Sequence, residues 1–148
     1  MPTGAKVHLV RIARLEDAPA IAELCGQLGY PSSTDETRRR LEVMAGFPYH
    51  VLLVAELDGQ VVGWAHVHAY PLPEMDFHAD LGGLVVDEAH RSTGLGKALL
   101  AAAEDWARSK GCAELRVRSN VIRLEAHRFY ETNGYENLKS QYTFRKRL

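Results

Sequence analysis

The apolar residues of this chain change their period several times, and each change marks an element. Val7–Ile12 alternates and predicts a first strand. Ile21, Leu24 and Leu28 then fall at helical spacing, with Asp17 as the cap, Pro19 in the first turn and Gly29 at the end. Ser33-Thr-Asp-Glu36 reads as a capping box for a second helix running to about Ala45. Tyr49–Glu56 and Gln60–Tyr70 predict two strands joined by Asp58-Gly59, the strongest short hairpin signal. Two prolines make Pro71–Asp76 a predicted surface loop, and Phe77–Val86 a fourth strand. A glycine-containing turn over Arg91–Gly96 opens a long helix with Leu95, Leu99, Ala102, Ala103 and Trp106 on one face, closed by Gly111. Glu114–Arg118 predicts a strand and Leu124–Thr132 a helix ended by Asn133-Gly134. The tail from Tyr135 to Lys146 predicts one or two closing strands. Antiparallel strands first and a βαβ unit later predict a mixed α+β sheet with helices on its faces.

Composition narrows the class. A length of 148 residues suits one domain over 1–148, and 46% hydrophobic with 25% charged residues excludes a disordered chain. Eighteen basic against 19 acidic residues leave a net charge of -1, which argues against a general nucleic-acid binder. Cys25 and Cys112 are too few for a disulfide framework. The start MPTGAKVHLV has no apolar signal region, and no apolar run reaches membrane-spanning length. The expectation is a reduced, cytoplasmic protein without a membrane partner.

The candidate chemistry gathers at Val85–Lys97, where a strand ends, the chain turns through two glycines and a helix begins. Glycines let backbone N–H groups approach a ligand, and a helix N-terminus adds partial positive charge, which suits phosphate. A Walker A loop would need glycine at 91 and Ser or Thr at 98, where Arg91 and Ala98 stand; a dinucleotide fingerprint would need a third glycine at Leu99. The glycines alone leave a plain turn before a core helix as an equal reading.

Arg91-Ser-Thr-Gly94-Leu-Gly96 resembles the Arg/Gln-x-x-Gly-x-Gly/Ala signature of the GNAT superfamily of N-acyltransferases, and Leu84-Val85-Val86-Asp87 the strand leading into it. Ala126-His-Arg-Phe-Tyr130-Glu-Thr-Asn-Gly134-Tyr135 is similar to the family's second motif, with tyrosine as the final aromatic. The resemblance implies a three-layer arrangement, a mainly antiparallel sheet with helices on both faces. It implies acetyl-CoA as co-substrate, its pyrophosphate held by the turn of Arg91, Ser92, Thr93, Gly94, Leu95, Gly96 and Lys97. Backbone groups of Leu84, Val85 and Val86 would pair with the pantetheine arm, and Asn120 would contact that arm or serve as a loop cap.

By the same resemblance Tyr130 matches the general acid that protonates the departing thiolate; the alternative is a core tyrosine beside Ala126 and Phe129. Asp80 resembles a catalytic carboxylate on the fourth strand, with an exposed or arginine-paired carboxylate as the alternative. Strict alternation would put 78, 80, 82, 84 and 86 on one face. Tyr70 and Tyr135 read as packing. His66 and His68 alternate with Val67 on one face; with no third ligand evident, pocket lining is favoured over a metal, and none is assigned. The expected reaction is acetyl transfer from acetyl-CoA to a primary amine, a small molecule or a peptide, by direct attack in a ternary complex. The rival is a CoA-binding sensor domain with little turnover. Family habit leaves a homodimer open.

Overall fold

The computed structural model describes residues 8–91, 93–119 and 121–148, so Val7 lies outside the described residues. Two compact units divide the chain, Met1–Val117 and Arg118–Leu148.

The first unit is a five-stranded sheet in the order β1 (His8–Ile12), β2 (His50–Leu57), β3 (Gln60–Leu72), β4 (Met75–Val86) and β5 (Leu115–Val117). The first three pairings are antiparallel, and β4–β5 is parallel. Helices α1 (Ala18–Leu28) and α3 (Leu95–Ser109) cover opposite faces, and α2 (Thr34–Met44) follows α1. On one face Ile21 and Leu24 of α1 pack with Leu52, Val54, Trp64 and Val85. On the other, a Cβ at Gly63 would meet Leu99 of α3 at 3.1 Å. Helix α3 buries Leu95, Leu99, Leu100, Ala103 and Ala107. Leu100 and Ala107 thus join the predicted face, while Trp106 is half-buried.

Local signals explain most boundaries. Asp58 and Gly59 adopt φ of 51° and 82° between β2 and β3, as a tight hairpin with the sheet's right-handed twist requires. Ser33 Oγ accepts the Glu36 N–H at 3.1 Å and starts α2, and Gly29 ends α1 at φ 100°. Asp17 precedes α1 without capping it through its side chain. Its carboxylate is taken by Arg11, at 2.8 and 2.9 Å, and by the Arg14 N–H at 2.7 Å. Arg11 also donates to Glu56, which joins β1, β2 and the start of α1 in one charged cluster. This pairing lowers the Asp17 pKa and raises that of Arg11.

Two expectations are corrected. The residues 71–76 are not a loop: pairing runs on to Leu72↔Met75, and Pro71 falls at the register irregularity between Tyr70 and Leu72. Proline is tolerated there because no regular ladder N–H is demanded of it. The predicted closing strands are absent among the described residues. The second unit holds α4 (Leu124–Thr132) followed by irregular chain, with Leu138, Tyr142 and Phe144 exposed. A strand needs a partner's backbone groups, and sequence alternation alone does not supply one.

Candidate active site

Strand β4 carries the first part of the site. Its pairing with β3 runs Tyr70↔His78, His68↔Asp80 and Val67↔Leu81, then resumes at His66↔Gly83. Gly82 is therefore an extra residue, a bulge that reverses the alternation of everything after it. Asp80 and His78 share a face with Val85 and Trp64, whereas Leu84 and Val86 turn to the α3 face. The strict alternation expected from sequence fails at this point. The two bulge glycines explain why the distortion is tolerated: a Cβ on Gly82 would stand 2.7 Å from His66 Nδ1, and one on Gly83 2.7 Å from Trp64 Cζ3. Consecutive glycines inside an apolar strand are the sequence signal that could have revealed it.

Asp80 is 3% exposed and accepts a hydrogen bond from the Tyr70 hydroxyl at 2.6 Å. His68 Nε2 lies 3.9 Å from its Oδ2, and His78 Nε2 3.7 Å from its Oδ1. Both separations exceed hydrogen-bond range. Tyr70, read as packing, thus holds the candidate carboxylate. His66 lies on the same face, and His50 Nδ1 of β2 sits 3.0 Å from His66 Nε2. Burial, then the neighbouring His68 and His50, lower the His66 pKa to about 4.

β4 also provides an edge and a turn. Strand β5 pairs only with Ala79, Leu81 and Asp80 between them, so among the described residues it leaves the outer edge of Leu84, Val85 and Val86 unladdered. The chain then turns through Asp87, which accepts from Gln27 Nε2 at 2.9 Å and contacts His90 Nδ1 at 2.9 Å. Gln27 in return accepts the Glu88 N–H, tying the turn to α1. These contacts depress the Asp87 pKa, the Gln27 hydrogen bond first. Arg91 Nε donates to the Val86 carbonyl, and the Thr93 hydroxyl to that of His90.

Gly94 then takes φ 86° and starts α3 without a side chain to cap it. The first N–H groups of a 15-residue helix have no partners within it, and Thr93 and Gly94 before it and Lys97 in its first turn are exposed. Such an end suits an anion. Gly96 is half-buried and Leu95 buried, the latter a core anchor. Ser92 and Asn120 lie outside the described residues.

Tyr130 belongs to the second unit, on α4. Its ring meets Phe129 and Tyr135 edge-on, with centroids 5.3 and 5.9 Å away. Burial raises its pKa, partly opposed by Arg123, so the phenol keeps its proton near neutral pH. Burial likewise raises the thiols of Cys25 and Cys112. A groove of about 400 Å³ at the opposite end of β4 from the turn is lined by Glu74, Met75, Asp76, Ala113, Glu114 and Arg116. It contains none of the groups above. No described helix is long and apolar enough to cross a membrane.

A strand edge that runs into a glycine turn at an uncapped helix N-terminus has the shape and polarity to suit an extended, phosphate-bearing ligand. Residues 16–135 match the model of the acetyltransferase (GNAT) family, and the chain belongs to that family. By class it is an acetyl-CoA-dependent N-acetyltransferase. It is 33% identical to an aminoglycoside N(6′)-acetyltransferase type 1 of Stenotrophomonas maltophilia, over 97% of this chain and 96% of the relative. An aminoalkylphosphonate N-acetyltransferase of Salmonella typhimurium is 35% identical over 62% of this chain and 58% of its own length. Among solved structures, an aminoglycoside N-acetyltransferase in complex with CoA superposes with a TM-score of 0.87 at 20% identity, covering all of both chains.

Proposed function

We propose that this enzyme transfers acetyl from acetyl-CoA to a primary amine of an amino sugar, by direct attack in a ternary complex. The observation that carries the reaction is strand β4. It bears the buried, Tyr70-bonded Asp80 and then the open backbone edge that leads into the turn. In this reading the backbone of Leu84, Val85 and Val86 pairs with the pantetheine arm. The N–H groups around Ser92–Lys97 hold the pyrophosphate, Arg91 braces the turn, and Asn120 meets the arm. The amine nitrogen bonds to the thioester carbonyl carbon and the carbon–sulfur bond breaks. Asp80 takes one ammonium proton before attack, directly or through water, Tyr130 gives its proton to the sulfur, and the second proton shed by the acylated nitrogen restores the Tyr130 phenol by way of solvent.

The acceptor class rests on the relatives, one of which is named for the 6′ amine of aminoglycosides and matches across nearly the whole chain. Both units serve as one domain here, since the family match runs across their junction. A cytoplasmic location and a homodimer complete the proposal.

Release of CoA thiol, measured with a 6′-amino aminoglycoside, its 6′-hydroxy analogue, an aminoalkylphosphonate and a polyamine, tests it. Turnover is expected with the 6′-amino compound and not with the 6′-hydroxy one. Binding of CoA without thiol release for any amine would favour the sensor reading instead. Preference for the phosphonate or the polyamine would keep the chemistry and replace the acceptor.

A further inference from the structure

We propose that His50, His66 and His68 form a binding site for a divalent transition-metal cation of the Zn2+ type, backed by Asp80. The three residues come from two strands. His50 on β2 pairs directly with His68 on β3, and His66 stands two residues along the same face. One ring nitrogen from each lies within 4.8 Å of one from each of the others, the one such trio found among the described residues.

The ring centroids stand at the separations of three imidazoles on one ion, although the ring planes, inclined by only 21°, 14° and 20°, are stacked and must turn to converge on it. Their centroids form a triangle with sides of 5.2, 5.1 and 5.4 Å. An imidazole nitrogen binds Zn2+ at about 2.0–2.1 Å, which puts its ring centroid about 3.2 Å from the metal; three tetrahedral ligands then have centroids about 5.2 Å apart. His50 Nδ1 and His66 Nε2, 3.0 Å apart, need to separate only slightly, since tetrahedral ligand nitrogens lie about 3.3 Å from one another. In that contact one nitrogen donates and the other accepts, so at least one ring presents a lone pair of the kind a metal takes. Because the three rings are stacked, each must also rotate about its side-chain bonds to aim a nitrogen at a common ion.

The surroundings fit as well. A metal-binding histidine commonly directs its second nitrogen to a carboxylate. His68 Nε2 faces Asp80 Oδ2 at 3.9 Å, and Asp80 is itself fixed by Tyr70. Three neutral nitrogen ligands favour Zn2+, Co2+, Ni2+ or Cu2+ over the oxygen-seeking Mg2+ and Ca2+. Three protein ligands also leave the fourth position open. The site lies beyond the acetyl-transfer reading and does not depend on it.

Titration of the chelator-treated protein with Co2+, followed by visible absorption, and with Zn2+, followed by calorimetry, tests the site. One equivalent should bind with the intense visible bands of four-coordinate Co2+, and excess Mg2+ should not displace it. His50→Gln and His66→Gln should each abolish this binding, and Asp80→Asn should weaken it by about 10–100-fold. His90→Gln and His127→Gln should bind as the parent does. Folding of each variant is read by circular dichroism. If the site variants do not fold, modification of the parent by diethyl pyrocarbonate, mapped by mass spectrometry, replaces them: Zn2+ should protect His50, His66 and His68 together. Absence of saturable one-to-one binding, a purely octahedral Co2+ spectrum, parental binding retained by either site variant, or no joint protection would overturn the proposal.

Discussion

The Tyr70 hydroxyl donates to Asp80 Oδ2 across 2.6 Å, from β3 to β4, on the sheet face that α1 covers. The contact turns a buried carboxylate into an oriented one. For acetyl transfer, Asp80→Asn should lower kcat/KM by roughly 10²–10⁴-fold at pH values where the amine is protonated, and less above the substrate's own pKa. Tyr70→Phe should cost about tenfold, in line with the loss of one hydrogen bond to a charged group. Steady-state rates across pH check both. A defect in Asp80→Asn that stays constant with pH would assign the residue to positioning rather than proton removal.

Tyr130→Phe keeps the ring that packs on Phe129 and Tyr135 and removes only the hydroxyl. The leaving thiolate has a conjugate acid of pKa about 8.5, taking cysteine as its model, so it departs slowly rather than not at all without help. A fall in kcat of roughly 10²–10⁴-fold is expected, with little change in the KM for acetyl-CoA. Parental turnover in a folded variant would return Tyr130 to a packing role.

The bulge predicts an asymmetry between adjacent glycines. An added Cβ at Gly83 meets the Trp64 ring, which is 8% exposed and wedged among Ile21, Leu24 and Val54, so the clash has nowhere to go. Gly83→Ala should destabilise by about 1–3 kcal/mol. At Gly82 the same Cβ meets the end of His66, a half-buried side chain that can rotate. Gly82→Ala should cost less and disturb the His50–His66 contact. Urea midpoints rank the two, and equal losses would contradict this account.

Stability should fall in two separate windows as the pH is lowered, measured with chelator present. The His66 pKa is lowered to about 4 from 6.5, so the unfolded chain binds a proton that the folded one refuses. Stability therefore declines as pH falls from about 6.5 to about 4, and His66→Gln should flatten that limb. Asp17 is lowered by Arg11, so its contribution is full above its unfolded value near 3.9 and is lost only below that. Asp17→Asn should remove that lower limb and cost about 1.5–3 kcal/mol at neutral pH. Thermal melts from pH 8 to 3 separate the two.

What the sequence determined by itself was local. Asp58-Gly59 specifies its hairpin because few other residues accept positive φ, Ser33 starts a helix because its hydroxyl reaches an orphan N–H, and the span of α4 matches its reading residue for residue. The glycine turn before α3 and the order of elements as far as α4 were equally legible, and with them the family. Tertiary structure decided what depends on partners across the sheet. One extra residue at Gly82 reversed the faces of β4, which strict alternation cannot foresee. Tyr70 found Asp80, and His50 came to His66 from sixteen residues away, because antiparallel register sets which side chains meet. The tail went the other way: its alternation predicted strands, but pairing belongs to two segments, and among the described residues no strand of the sheet pairs with it.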